Sequence, residues 1–140
     1  QDLARWAAAS PKIRTTFLGF QNQRQLSRFY HAADLLVLPS RASETWGLVV
    51  NEALHHGVPC VVSDRVGCAT DLIEEGITGH SCRADSSAAL ADALEAATTL
   101  VGRDEVRRGC RTKVAGYSAE VAAAGIAEAY FMATRTGKAA

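Results

Sequence analysis

Apolar residues along the chain form short continuous runs separated by stretches with helical spacing. Four runs are rich in β-branched and other apolar residues and predict strands, at residues 13–20, 35–40, 59–64 and 79–84. The runs at 35–40 and 59–64 do not alternate with polar residues, which is typical of strands buried on both faces of a parallel sheet.

The stretches between these runs predict helices. Residues 21–34 place apolar side chains at i, i+3, i+4 and i+7, residues 47–57 form a helix closed by Gly57, and a shorter helix precedes Gly76. A further helix is capped by Asp85, Ser86 or Ser87 and keeps helical spacing to Val101. Residues 103–135 are helical with a break near Gly116, and the pattern of residues 1–12 is typical of the end of a helix.

Strands and helices alternate over short connections, which favours a parallel α/β sheet over a bundle or a sandwich. The 140 residues suit one domain, without an internal repeat or linker. Doubly wound domains usually contain more strands, so we expect a partial domain that lacks its first strand. Ser118 is a candidate cap for a closing helix at about residues 118–134.

Charge and cysteine content narrow the possible functions. Fifteen basic and fifteen acidic residues cancel and are scattered, so a nucleic-acid partner is not expected. Four cysteines without a C-x-x-C pair indicate buried thiols in a reducing compartment; they are Cys60, Cys68, Cys82 and Cys110. No apolar run approaches the roughly 20 residues that span a bilayer. These features predict a cytoplasmic location.

The loop at residues 40–46 is the first candidate ligand site, because ligands of open α/β sheets bind at the carboxyl ends of the strands. Gly47 would let a ligand approach the backbone closely, and the amides of Trp46, Gly47 and Leu48 could hold a phosphate or a sugar hydroxyl. Glu44 lies in the loop and is free to face the ligand. Glu52 lies about one turn into the helix, where its carboxylate could accept hydrogen bonds from the two hydroxyls of a ribose.

A structural explanation competes with the ligand interpretation, because glutamates near helix N-termini also serve the helix dipole. A second turn at Gly67, Cys68 and Ala69 adds another amide-rich helix start on the same sheet edge, although such a turn is a weak signal. Arg41 and Arg65 could meet a phosphate or be solvated loop cations. Cys60, in a predicted strand, is interpreted as a core residue.

The segment "PSRASETWGLVVNEALHHGVPCVVSDRVGCATDLIEEGITGH" resembles the retaining glycosyltransferases of group 1, family 4. The resemblance rests on the E-x7-E pair of Glu44 and Glu52, the G-x-P that ends at Pro59, and the G-x-x-G that ends at Gly79. It extends over roughly residues 13–131. It implies a Rossmann-like three-layer α/β/α domain, the donor-binding C-terminal half of a GT-B fold.

The resemblance assigns roles to single residues. It implies that Glu44 contacts the transferred sugar, that the backbone at Trp46, Gly47 and Leu48 holds sugar and phosphate, and that Glu52 binds the ribose. Trp46 replaces a more usual phenylalanine, Cys68 a glycine and Asp71 a glutamate. The basic pair that neutralises the diphosphate in this family, and the N-terminal acceptor domain, lie outside this chain.

The implied reaction is transfer of a sugar from a nucleoside-diphosphate sugar to an acceptor with retention of configuration and without a metal. The four histidines show no ligand spacing, and adjacent His55 and His56 are expected to have surface or packing roles. The fragment alone is expected to be inactive, and the full enzyme could associate peripherally with the membrane. Two alternatives stay open, a nucleotide-binding module without catalysis and an interaction scaffold of the same fold.

Overall fold

The computed structural model describes residues 2–10, 12–42 and 44–136. Within them, three parallel strands form one sheet in the order β1 (Leu36–Leu38), β2 (Cys60–Ser63) and β3 (Gly79–Cys82). Leu36 pairs with Cys60, and Cys60 pairs with Gly79, so the strands lie in register at their amino ends. All three strands lie within apolar runs that predict strands.

The described part of the chain contains seven α-helices: α1 (Asp2–Ala9), α2 (Gln23–Ala32), α3 (Leu48–His55), α4 (Ala69–Leu72), α5 (Ser87–Ala97), α6 (Asp104–Val114) and α7 (Ala119–Thr136). Short 3₁₀ turns follow α5 and α6, at Thr98–Leu100 and Ala115–Tyr117. The expected caps are present, because Ser86 accepts a hydrogen bond from the Ala89 amide and Ser118 one from the Val121 amide. The helix predicted to reach Val101 ends as an α-helix at Ala97.

The buried strand β2 separates two apolar clusters. Cys60 and Val62 join the larger cluster, which includes residues of α3 and α6, whereas Val61 joins a smaller cluster with α5. Successive strand residues point to opposite faces, so helices cover both faces of β2. This arrangement confirms the predicted three-layer α/β/α sheet.

One strand prediction is wrong, and a second is wrong only about the burial of the strand. Residues 13–20 contain no strand in the structure, and Phe20 at their end is 94% exposed. β1 forms only within 35–40 and is not buried on both faces, since Val37 is 38% exposed. Both errors have one physical cause. β1 is an edge of the sheet, and residues 13–20 do not pair with it.

Glu75 covers the other edge of the sheet at β3. Its carboxylate accepts hydrogen bonds from the amide and hydroxyl of Ser81, at 2.8 and 2.7 Å, and pairs with the ring of His80 at 2.7 Å. Burial alone raises the pKa of Glu75, but the hydrogen bonds from Ser81 and His80 outweigh burial and hold this pKa below its ordinary value.

We expect this contact to make folding stability sensitive to acid. Because the pKa of Glu75 is lower in the folded than in the unfolded chain, its contribution is complete above the unfolded pKa and is lost as the pH falls through the folded pKa. Urea unfolding of the wild type and of Glu75→Gln, from neutral pH to about pH 3, measures this contribution as a difference in the free energy of unfolding. This difference should shrink on acidification, and a difference that stays constant with pH would contradict this account.

Candidate functional site

The loop from β1 to α3 meets the N-terminus of α3 at Gly47. Gly47 is the N-cap residue and has left-handed backbone geometry, with φ of 97°. A Cβ atom at this position would lie 2.7 Å from Cγ1 of Val66. Both observations require a glycine, which leaves the first amides of α3 without a side chain in front of them. Leu48 follows and is exposed.

Trp46 is fixed by its own side-chain contacts. Its indole Nε1 donates a hydrogen bond to Oδ1 of Asn51 at 2.8 Å, and its ring lies 6.0 Å from that of Tyr117, between centroids. The indole therefore lies along the first turns of α3 and against the connection between α6 and α7. These contacts hold the backbone that precedes Gly47.

The second turn, at residues 64–68, packs directly against the first. The Cys68 amide donates a hydrogen bond to the Trp46 carbonyl at 2.9 Å. A Cβ atom at Gly67 would overlap the carbonyl oxygen of Thr45. The two turns that the sequence predicts at one sheet edge thus form a single unit, and Gly67 is needed for their contact.

Glu44 is partly buried, and its charge acts on the thiol of Cys68. Burial is the main cause that raises the pKa of Cys68, and the negative charges of Asp71 and Glu44 add to it, so that the pKa is about 11. Glu44 therefore lies within electrostatic range of the second turn. A thiol with such a raised pKa is protonated at neutral pH and adds no charge there.

Glu52 lies one turn into α3 and faces α2. Its Oε2 accepts a hydrogen bond from the Tyr30 hydroxyl at 2.8 Å, and its Oε1 one from Nε2 of Gln23 at 3.4 Å. Burial, and then the hydrogen bond to Glu52, raise the pKa of Tyr30 well above its ordinary value, so this phenol stays protonated and donates. The two carboxylates of the E-x7-E pair thus have different surroundings.

A cavity of about 530 Å³ opens beside Glu52, between α2, α3 and α6. Its lining includes Gln23, Tyr30, Asn51 and Tyr117. None of these four residues is predicted from the sequence as a site residue. Gln23, Ser27 and Tyr30 carry hydrogen-bonding groups at i, i+4 and i+7 on α2, and this spacing is the signal that could have identified them, although the Tyr30 ring itself is apolar.

His56 joins α2 and α3. Its Nε2 is 2.8 Å from Oγ of Ser27, and its Nδ1 is 2.7 Å from the carbonyl oxygen of Glu52. Its ring also packs against those of His31 and His55, at centroid distances of 4.8 and 5.8 Å. These contacts give His56 the packing role that its sequence position predicts. Among residues 2–10, 12–42 and 44–136, no cluster of three or more His, Cys, Asp or Glu residues could hold a metal ion.

The remaining candidates are not among the residues that line this cavity. Arg41 forms an ion pair with Asp85 at 3.0 Å, and both side chains are largely exposed. Arg65 is exposed, whereas Cys60 is fully buried in the larger apolar cluster, as its sequence position predicts. Within the described residues, no helix has the length and apolarity to cross a membrane.

Comparison with known proteins identifies the family. The sequence profile of the family described as "Glycosyl transferases group 1" matches residues 4–109. The chain belongs to this family. D-inositol 3-phosphate glycosyltransferase of Nocardia farcinica is 41% identical over 120 residues, which are 84% of this chain and 26% of that protein. N-acetyl-alpha-D-glucosaminyl L-malate synthase of Bacillus anthracis is 37% identical over 79 residues, which are 56% of this chain and 20% of that protein.

Several solved structures share the fold. Sucrose-phosphate synthase of Thermosynechococcus elongatus superposes with a TM-score of 0.74 at 24% identity, over 96% of this chain and 35% of that one. HepE of Anabaena, in complex with UDP, superposes with a TM-score of 0.74 at 22% identity, over 95% of this chain and 36% of that one. This chain thus spans about a quarter of the Nocardia relative and about a third of these structures. The predicted GT-B resemblance and α/β fold are confirmed.

Proposed function

We propose that this chain is the donor-binding part of a group 1 glycosyltransferase. The full-length enzyme would transfer a sugar from a nucleoside-diphosphate sugar to an acceptor, with retention of configuration. The observation that carries the proposal is the N-terminus of α3, where left-handed Gly47 leaves the first amides open and Glu52 follows one turn later. Free amides at a helix N-terminus suit a diphosphate, and a carboxylate suits a diol.

Each residue of the site has a proposed role. The backbone at Trp46, Gly47 and Leu48 holds the sugar and phosphate, and Glu52 accepts hydrogen bonds from the ribose. Glu44 contacts the transferred sugar beside the second turn. During transfer the sugar becomes oxocarbenium-like while negative charge grows on the leaving diphosphate, so fixed amides that face this charge lower the barrier.

Other parts of the proposal concern the full-length enzyme. An N-terminal domain of the same enzyme would bind the acceptor, and the donor would be used without a metal or other cofactor. All four cysteines are free and buried, which supports a reducing, cytoplasmic compartment. Peripheral association with the inner face of the membrane stays a prediction. HepE has been solved with UDP and with UDP-glucose, so UDP is the first nucleotide to test.

Calorimetric titration of the full-length protein with UDP, ADP and GDP, with and without Mg²⁺, tests this function. We expect saturable binding of one of them without Mg²⁺, and sugar transfer from its conjugate. Binding without transfer would favour the nucleotide-binding module, and no binding would favour the scaffold. Either result would overturn the transferase proposal.

Glu52→Ala should weaken binding of that nucleotide by about 1 to 3 kcal/mol, because charged hydrogen bonds to the ribose are lost. Glu95→Ala is the matched control, since Glu95 is exposed on α5 on the opposite face of the sheet. The same titration measures both variants. Equal affinities of Glu52→Ala and wild type would remove Glu52 from the site.

A further inference from the structure

We infer that Tyr30 and Gln23 are positioning residues that hold the Glu52 carboxylate ready for a diol, so that the site selects a ribonucleotide over its deoxy forms. This inference deepens the proposed function and rests on it. Neither residue belongs to the E-x7-E motif, and both lie on α2, outside the loop and helix that carry that motif.

The hydrogen bonds to Glu52 divide evenly between its two oxygens. Tyr30 donates to Oε2 at 2.8 Å and Gln23 to Oε1 at 3.4 Å. A carboxylate offers about four lone-pair sites, two on each oxygen. With these two donors from the described residues, one site stays open on each oxygen. Two adjacent acceptors match the two hydroxyl donors of a vicinal diol, whereas a nucleotide with one hydroxyl uses only one of them.

Tyr30 can fix Glu52 because it is itself fixed. Its side chain is only 8% exposed and belongs to the larger apolar cluster, so its hydroxyl has little freedom. The His56 contacts to Ser27 and to the Glu52 carbonyl also hold α2 and α3 together. A carboxylate that is already oriented loses less conformational entropy when a ligand binds. Without the Tyr30 hydroxyl, the Glu52 side chain gains rotamers.

Titrations of the full-length protein test this inference. The probes are whichever of UDP, ADP and GDP binds, and its 2′-deoxy and 3′-deoxy forms. Wild type should bind the ribonucleotide about tenfold or more tightly than either deoxy form, since each missing hydroxyl leaves a charged acceptor unpaired. In Tyr30→Phe, ribonucleotide affinity should fall by about five- to tenfold and the discrimination should shrink to about twofold. Gln23→Ala should lower both the ribonucleotide affinity and the discrimination by smaller factors, because the hydrogen bond from Gln23 to Glu52 is longer than that from Tyr30.

Ser27→Ala is the matched control, because it removes a hydrogen bond between α2 and α3 without touching the Glu52 carboxylate. It should keep the wild-type discrimination between ribo and deoxy forms. If Ser27→Ala reduces discrimination as much as Tyr30→Phe does, the residues act through helix packing and the inference is wrong. Gln23 is exposed, so Gln23→Ala keeps the test informative if Tyr30→Phe folds poorly.

The outcomes separate this inference from the proposed function. If wild type binds none of the nucleotides, the proposed function fails and the inference fails with it. If Glu52→Ala weakens binding but Tyr30→Phe discriminates like wild type, the proposed function stands and the inference alone is overturned.

Discussion

Replacing Gly67 with alanine should destabilise the protein and weaken nucleotide binding together. The new Cβ atom would overlap the Thr45 carbonyl oxygen and would also press on Cα of Trp46. Backbone atoms cannot rotate away, so the two turns must separate. Overpacking of this kind costs about 1 to 3 kcal/mol, occasionally more. Urea unfolding measures the loss of stability, and calorimetric titration measures the loss of affinity.

Gly125→Ala is the matched control for Gly67→Ala. Gly125 lies within α7, and a Cβ atom there meets nothing within 4 Å. Alanine is also the better helix former, so this variant should be as stable as the wild type or slightly more stable. If Gly67→Ala unfolds at the same urea concentration as Gly125→Ala, the two turns do not depend on their close contact.

Replacing Glu44 with alanine should slow sugar transfer by the full-length enzyme about a hundredfold, because loss of a positioning contact at the reacting sugar has effects of this size. The dissociation constant of the nucleotide without its sugar should change much less, since Glu44 is proposed to touch the sugar and not the ribose. Steady-state rates with the nucleotide sugar, and titrations with the nucleotide alone, separate these effects.

Glu44→Gln distinguishes charge from size at this position, and Glu95→Ala again provides a control for removal of a glutamate. Glu44→Gln keeps the hydrogen-bonding length of the side chain but removes its charge. A rate close to that of Glu44→Ala would show that the charge matters. A transfer rate in Glu44→Ala equal to that of the wild type would exclude Glu44 from the mechanism.

The sequence pattern predicted most of the fold. The predictions are correct where neighbouring residues alone determine the secondary structure. The run at 59–64 has no polar interruption, and β2 is buried throughout. Ser86 caps α5 because its hydroxyl reaches an amide three residues later, which is a local contact. The run at 13–20 has equally good strand propensity but no strand in the structure. A strand needs a partner, and propensity cannot supply one.

In the candidate site, too, features set by local sequence were predicted and features set by distant contacts were not. Gly47 was predicted from sequence because a glycine between a strand and a helix lets a ligand approach the backbone closely. Tyr30 was not, since its ring fits the apolar stripe of α2 and its hydroxyl partner, Glu52, lies 22 residues away. A single sequence shows which side chains can donate hydrogen bonds but not which distant acceptor meets them. The α2 to α3 contact therefore emerged only from the three-dimensional structure.

The parallel pairing of the strands also links the candidate site to the rate of folding. Leu36 pairs with Cys60 and Cys60 with Gly79, so the paired residues are 24 and 19 positions apart, from 36 to 60 and from 60 to 79. Neither pair can start as a local hairpin, and the first must close a loop that contains residues 40–47 and α3. The segment proposed to hold the donor is thus also the crossover connection on which assembly of the sheet depends. We therefore expect substitutions chosen for activity at residues 44–52 to change the rate of folding as well.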